Sequence, residues 1–223
     1  MISAQDRHRI IAIDGPAASG KSSVARDLAR RINFVYLNSG AIYRAITWHV
    51  LEQGVNPDDA PAIAQLLESA VITCHLTSND SRVCINDVDP TSHLRDERVN
   101  SGVSRVSVAP AVRKVADEQM HHCARTHDLV VEGRDIGSVV FPETPYKFYI
   151  DATPEVRARR RAAEGLRDEI SVRDRADAGR SAAPLMVAKD AHVIDSSDLT
   201  IAGVTNEIIA RLKRKGLDVD LAP

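Results

Sequence analysis

The sequence predicts an α/β fold, three layers with a central parallel sheet, and three observations carry that prediction. Short apolar runs recur between helical patterns. The first of them leads straight into a glycine-bracketed loop and a helix. One strand–turn–strand stretch interrupts the rhythm. Alternation of this kind belongs to a parallel sheet with crossover helices. With 223 residues, the chain has room for one domain carrying an insertion.

Ile10 to Ile13 is the first buried-strand run, and Asp14 closes it. Gly15-Pro16-Ala17-Ala18-Ser19-Gly20-Lys21-Ser22 follows, with two glycines bracketing four residues ahead of Lys-Ser. That is the complete G-x-x-x-x-G-K-[ST] spacing of a P-loop. Glycines let the backbone fold into a nest of N–H donors, Lys21 brings a cation to the β- and γ-phosphates, and the Ser22 hydroxyl suits Mg²⁺. Ser23 to Ile32 is amphipathic with helical spacing, so a helix dipole adds to the anion site. The expected ATP-phosphate residues are Gly15, Pro16, Ala17, Ala18, Ser19, Gly20, Lys21, Ser22 and Ser23, with Mg²⁺ at Ser22.

Further strands are expected at Phe34 to Leu37, Leu129 to Glu132, Lys147 to Ile150 and Val193-Ile194. Helices are expected over Ala41 to Gln53, stopped by Gly54, then Ala60 to Ser69, Pro110 to Thr126 with proline in its first turn, and Ile201 to Lys215, stopped by Gly216. Val71 to Leu76, a polar Thr77 to Ser81 turn, and Arg82 to Asn86 read as an antiparallel hairpin inserted over the core. No repeat, low-complexity stretch or Pro/Gly/Ser-rich linker divides the chain.

Composition narrows the function. Lys plus Arg number 29 and Asp plus Glu 31, so no global positive charge marks a nucleic-acid binder. Cys74, Cys84 and Cys123 are scattered without C-x-x-C pairing, against a disulfide framework or structural zinc. The opening residues do not read as a signal peptide, and no apolar run approaches membrane-spanning length. A monomeric, cytoplasmic protein without nucleic-acid or membrane partners is expected. The absence of an N-K-x-D stretch argues against a GTPase, and the chain leaves little room for the arm of a motor or transporter ATPase.

A second group of anion-suited residues follows the second strand, where Ser39, Tyr43 and Arg44 surround a helix start. A third follows the strand ending at Glu132, where Arg134-Asp135 stand between Gly133 and Gly137. Strand carboxyl ends line the ligand crevice of an open α/β sheet. Two anion sites on one crevice imply a donor phosphate and an acceptor phosphate. His121, His122 and His127 lack the spacing of a metal site and read as helix surface.

These stretches resemble the bacterial-type cytidylate kinases within the nucleoside monophosphate kinases. The resemblance rests on Ile13-Asp14-Gly15-Pro16, Ser39-Gly40-Ala41-Ile42-Tyr43-Arg44, Gly133-Arg134-Asp135-Ile136-Gly137 with Val139-Val140-Phe141-Pro142, and Arg173-Asp174 with Asp177, Arg180 and Ala183-Pro184-Leu185. It implies transfer of the γ-phosphoryl of ATP-Mg²⁺ to CMP or dCMP. It places Arg44 and Arg134 on the acceptor phosphate with Ser39 and Tyr43 nearby, Ser104, Arg113 and Asp135 on cytosine, and Arg173 and Asp177 on the sugar. Lys21, Arg134, Arg173 and Arg180 are the implied catalytic cations. It further implies a core of 9–55 and 108–215, a monophosphate-binding insert at 56–107, and a helical lid at 155–181 that is shorter than usual. Arg157 to Arg180 reads as this phosphate-clamping lid or as a solvated, ion-paired helix face. Arg134-Asp135 could also be a structural ion pair. A kinase for UMP or AMP, and a nucleotide-binding regulator without turnover, remain the alternatives.

Overall fold

The computed structural model describes residues 8–77, 80–163 and 185–219. Five parallel strands form the central sheet: β1 (Ile10–Asp14), β2 (Val35–Asn38), β5 (Leu129–Gly133), β6 (Tyr146–Asp151) and β7 (His192–Asp195), in the order β2-β5-β1-β6-β7. A separate antiparallel pair, β3 (Ile72–Leu76) and β4 (Ser81–Ile85), is the expected hairpin, with Cys74 opposite Val83.

The pleat sorts side chains into two apolar layers. Ile11 and Ile13 of β1, Tyr36 of β2, Val130 of β5 and Phe148 and Ile150 of β6 face one way and pack with α1 (Lys21–Arg31) and α7 (Ile201–Arg214). Ile10 and Ala12, Val35 and Leu37, and Leu129 and Val131 face the other way. There they meet α2 (Ser39–Glu52), α3 (Ala60–Glu68), α5 (Pro110–Ala124) and the hairpin, whose Ile72, Val83 and Ile85 are buried in the same cluster. Near-continuous apolar strands of this kind need cover on both faces, which the flanking helices supply.

Among the described residues three elements were not foreseen, the shortest a single 3-10 turn at Thr91–His93. α4 (Glu97–Val106) packs against α2 and buries Val99, Val103 and Val106. Its helical spacing is present in the sequence, but Asn100-Ser101-Gly102 obscures it. A single π-turn spans Ile136–Val140, directly after β5. α6 (Pro154–Ala163) follows β6. Observed boundaries otherwise lie within two residues of the predicted ones: α5 ends at Ala124 where Thr126 was expected, and α2 begins at Ser39 where Ala41 was expected.

Candidate active site

The chain leaves β1 toward β2 and leaves β6 toward β7, so the connections of two adjacent strands diverge and open a crevice at their carboxyl ends. The loop 15–20 occupies this point. Gly15 passes so near β6 that a Cβ would lie 2.1 Å from the Ile150 carbonyl oxygen, which excludes any side chain. Ala18 and Gly20 adopt left-handed backbone with φ 58° and 89°, the alternation that turns successive N–H groups toward one side. Gly20 then begins α1 as its N-cap.

Lys21 is only 7% exposed and folds over the loop, donating to the Pro16 carbonyl at 3.1 Å. Its Nζ lies 3.9 Å from Oε2 of Glu132, a carboxylate 3% exposed at the end of β5. Ser22 Oγ donates to Glu132 Oε1 at 2.7 Å, and the Tyr36 hydroxyl donates to the same oxygen at 3.1 Å. Burial and the Glu132 charge push the Tyr36 phenol far above its usual range, so it remains a donor. A buried carboxylate beside the hydroxyl of Ser22 forms the oxygen-rich corner that a hard divalent cation prefers. No role was assigned to Glu132 from sequence, where a single acidic residue in an apolar strand carries no spacing signal.

The outward carbonyls of the loop are held from behind. Arg157 donates to the carbonyls of Ala152 at 3.2 Å and Ala17 at 3.3 Å. Arg160 donates to Ser19 O at 3.2 Å and to Ser196 O at 2.7 Å, while Ser196 Oγ donates to Ser19 O at 2.8 Å. In this structure both arginines donate to backbone carbonyls around the loop. A nest turns its N–H groups inward and its carbonyls outward, and the outward set needs donors. The remainder of the expected lid, with Arg173, Asp177 and Arg180, lies outside the described residues.

Across the crevice, Asp14 at the end of β1 accepts from the backbone N–H groups of Ile136 and Gly137, each at 2.8 Å. This pins the π-turn and fixes where Arg134 and Asp135 emerge. Burial raises the Asp14 carboxyl to about 6, against the lowering effect of those two hydrogen bonds. Gly133 is needed because a Cβ there would lie 2.6 Å from Ser39 Oγ, which itself donates to the Glu132 carbonyl at 2.7 Å.

Asp135 and Arg113 are both buried and paired through Asp135 Oδ2 and an Arg113 amino group. Asp135 is thus ion-paired with Arg113 of α5, twenty-two positions away. The Arg113 guanidinium stands 5.9 Å over the Tyr43 ring. Arg44 reaches from α2 to the Gly40 carbonyl at 3.3 Å and Asn100 Oδ1 of α4 at 3.5 Å, and Arg134 donates to Gly133 O at 3.5 Å. Tyr43, Arg113 and Asp135 thereby meet from α2, α5 and the turn after β5, with Ser39 tied to the end of β5. Ser104 lies in the last turn of α4, half-buried, where its carbonyl accepts from Ser107 Oγ at 3.2 Å. Its side chain has no described hydrogen bond to the Arg113–Asp135 pair.

The family model for cytidylate kinase matches residues 11–214, which takes in both halves of this site. The chain belongs to the cytidylate kinase family. Curated cytidylate kinases of Halalkalibacterium halodurans and Mycobacterium leprae are each 40% identical, over 216 and 218 residues. Each alignment covers 92% of this chain and 97% and 96% of those proteins. A bifunctional pantoate ligase/cytidylate kinase of Synechococcus elongatus is also 40% identical over 229 residues, covering 96% of this chain but 44% of that longer protein. As a family member, the chain is a nucleotide-binding P-loop kinase, and among its described residues no helix is long and apolar enough to cross a membrane.

Proposed function

We propose that the protein transfers the γ-phosphoryl of ATP to CMP, and to dCMP, giving ADP and the cytidine diphosphate. The observation that carries this reading is the buried Arg113–Asp135 pair beside a crevice whose other wall is the P-loop. Cytosine presents an exocyclic amino donor and a ring-nitrogen acceptor where uracil presents a carbonyl and an N–H. A carboxylate keeps several lone-pair sites, so Asp135 can accept from the amino group while bonded to Arg113, and Arg113 can donate to the ring nitrogen. Uracil faces both groups with the wrong partner, and a buried site rejects such an analogue strongly.

The acceptor phosphate is already an anionic nucleophile, so transfer needs positioning and charge neutralisation rather than a strong general base. Lys21 and the loop amides hold the donor phosphates, and Arg44 and Arg134, near Ser39 and Tyr43, hold the acceptor phosphate. Ser22 and Glu132 fit Mg²⁺, which when bound offsets charge on the donor phosphates. Residues 9–55 and 108–215 serve as the core, 56–107 as the acceptor insert with Ser104 on the base, and 155–181 as a short lid bringing Arg173, Asp177 and Arg180 to the sugar and the transferring group. The protein works as a cytoplasmic monomer. Assay of CMP, dCMP, UMP and AMP with ATP and Mg²⁺ by ADP release tests this: CMP is expected to lead, UMP or AMP leading would reassign the acceptor, and no turnover would leave a nucleotide-binding regulator.

A further inference from the structure

The turn that follows Arg134 and Asp135 is held at its near end by Asp14, and its far end has a second charged anchor. Lys147 stands on β6 opposite Ala12 of β1, so the pleat puts it on the same face of the sheet as Asp14. Its stem runs beneath the π-turn: a Cβ on Gly137 would lie 3.1 Å from Lys147 Cγ, 3.2 Å from its Cδ and 3.4 Å from Ala12 Cβ. The ammonium donates to the Pro142 carbonyl at 2.6 Å and to both carboxylate oxygens of Asp190, at 2.8 and 2.9 Å. Lys147 is only 6% exposed, and a cation so buried must be paired and hydrogen-bonded to stay charged. Asp190, on the segment that leads into β7, supplies the counter-charge from a side chain that is 57% exposed.

We propose that Lys147 is a positioning residue for the acceptor, holding the far end of the turn so that Arg134 and Asp135 stand where a nucleoside monophosphate reaches them. The contacts run back from Lys147 without a break. Lys147 holds Pro142, the Phe141 N–H donates to the Ile136 carbonyl at 2.7 Å, and the Val139 and Val140 N–H groups donate to the Asp135 carbonyl at 2.9 and 3.2 Å. The two ends of the turn thus hang on opposite charges from neighbouring strands, N–H groups on the Asp14 carboxyl and a carbonyl on the Lys147 ammonium. A neutral side chain of similar length would fill the space under Gly137 but leave the Pro142 carbonyl without its charged donor. Among the described residues, Lys147 has no hydrogen bond to the loop 15–20, so its effect belongs to the acceptor wall. That effect on CMP rests on the acceptor-site reading above; the anchoring of the turn does not.

The test compares wild type with Lys147→Met, which keeps the stem and removes the ammonium, and with Asp190→Asn, which keeps the shape and removes the counter-charge. Each is read by amide hydrogen exchange over residues 134–142 and by KM for CMP and for ATP. Lys147→Met should speed exchange in that segment and raise KM for CMP about tenfold, the scale of one charge-assisted hydrogen bond, with KM for ATP moving less than about twofold. Asp190→Asn should act in the same direction, raising KM for CMP about threefold, as for a partly exposed ion pair. Wild-type exchange in folded Lys147→Met would overturn the proposal. So would faster exchange with KM for CMP unchanged, or a KM for ATP that rises as much as that for CMP. If Lys147→Met does not fold, Asp190→Asn decides alone by the same criteria. Failure of the CMP reading would show separately, as a wild-type protein without CMP-dependent turnover; it would overturn the acceptor role while exchange still reports the anchor.

Discussion

Two buried carboxylates stand almost side by side at the carboxyl ends of paired strands, Asp14 opposite Gly133 and Glu132 opposite Ile13, and the pleat turns them to opposite faces of the sheet. Each braces the loop that follows the other strand. Asp14, which leads into the P-loop, holds the turn after β5, and Glu132, which leads into that turn, holds Lys21 and Ser22 after β1. The environments differ as well: Asp14 meets backbone N–H groups and burial dominates, whereas Glu132 meets two hydroxyls and an ammonium. The donor and acceptor walls are therefore held in register with each other through the sheet, and neither loop is positioned by its own strand alone.

The largest expected effect comes from the ammonium that Glu132 faces. Lys21→Ala should cut kcat roughly 100- to 1,000-fold, the scale for losing one preorganised charge-stabilising group, with circular dichroism unchanged. Near-normal turnover in a folded variant would remove Lys21 from the donor site. Glu132→Gln keeps the volume and removes the charge, and should lower kcat roughly 10- to 100-fold while the KM for CMP moves less than about twofold. Equal changes in both constants would break the division between the two walls.

On the acceptor wall, Asp135→Ala should reduce kcat/KM for CMP roughly tenfold or more through a lost charge-assisted hydrogen bond, with UMP affected less. A constant CMP/UMP ratio would leave Asp135 as a structural partner of Arg113 only. A smaller loss is expected from Arg160→Ala, which removes one of the two donors to the Ser19 carbonyl at the back of the loop and leaves Ser196 Oγ: KM for ATP should rise about threefold, the scale of one net hydrogen bond, with KM for CMP steady.

Asp14 sharpens the comparison through pH. Its native carboxyl titrates near 6, against an ordinary 3.8, so between these values the folded chain holds a proton that the unfolded chain has lost. Its contribution to stability therefore grows as pH falls from 7 through 6, levels off below 3.8, and amounts to about 3 kcal/mol in total. Carboxylates such as Asp128, held low chiefly by the hydrogen bonds of Arg9 against the effect of burial, contribute in the opposite direction. The readout is accordingly the difference between wild type and Asp14→Asn in urea unfolding at pH 7, 5 and 4. That difference should shift toward wild type as pH falls, and a flat difference would place the Asp14 carboxyl at its ordinary value.

The P-loop was legible because its motif is local: Gly15, Gly20, Lys21 and Ser22 stand at fixed spacing, while the contacts that brace it, from Ile150, Glu132, Arg157, Arg160 and Ser196, are non-local. The alternating apolar runs were legible because a doubly covered parallel strand must be apolar on both faces. Glu132 escaped notice because a single acidic residue in an apolar strand carries no spacing signal; its meaning comes from Ser22, 110 positions away. Asp135 and Arg113 were seen together as cytosine-reading residues through the family resemblance, but nothing local to either says that they bond to each other, because they lie twenty-two positions apart.

By itself the sequence determined the α/β class, the hairpin, the phosphate loop and the family, since periodicity, turn chemistry and contiguous motifs are properties of neighbouring residues. Only the tertiary structure decided that Asp14 and Glu132 brace each other's loops, that Arg157 and Arg160 hold loop carbonyls, and that Arg113 pairs with Asp135. Each of these joins residues distant along the chain through strand register and helix packing. Such pairings depend on which faces the core turns toward each other, and that is settled by burying the whole apolar surface at once.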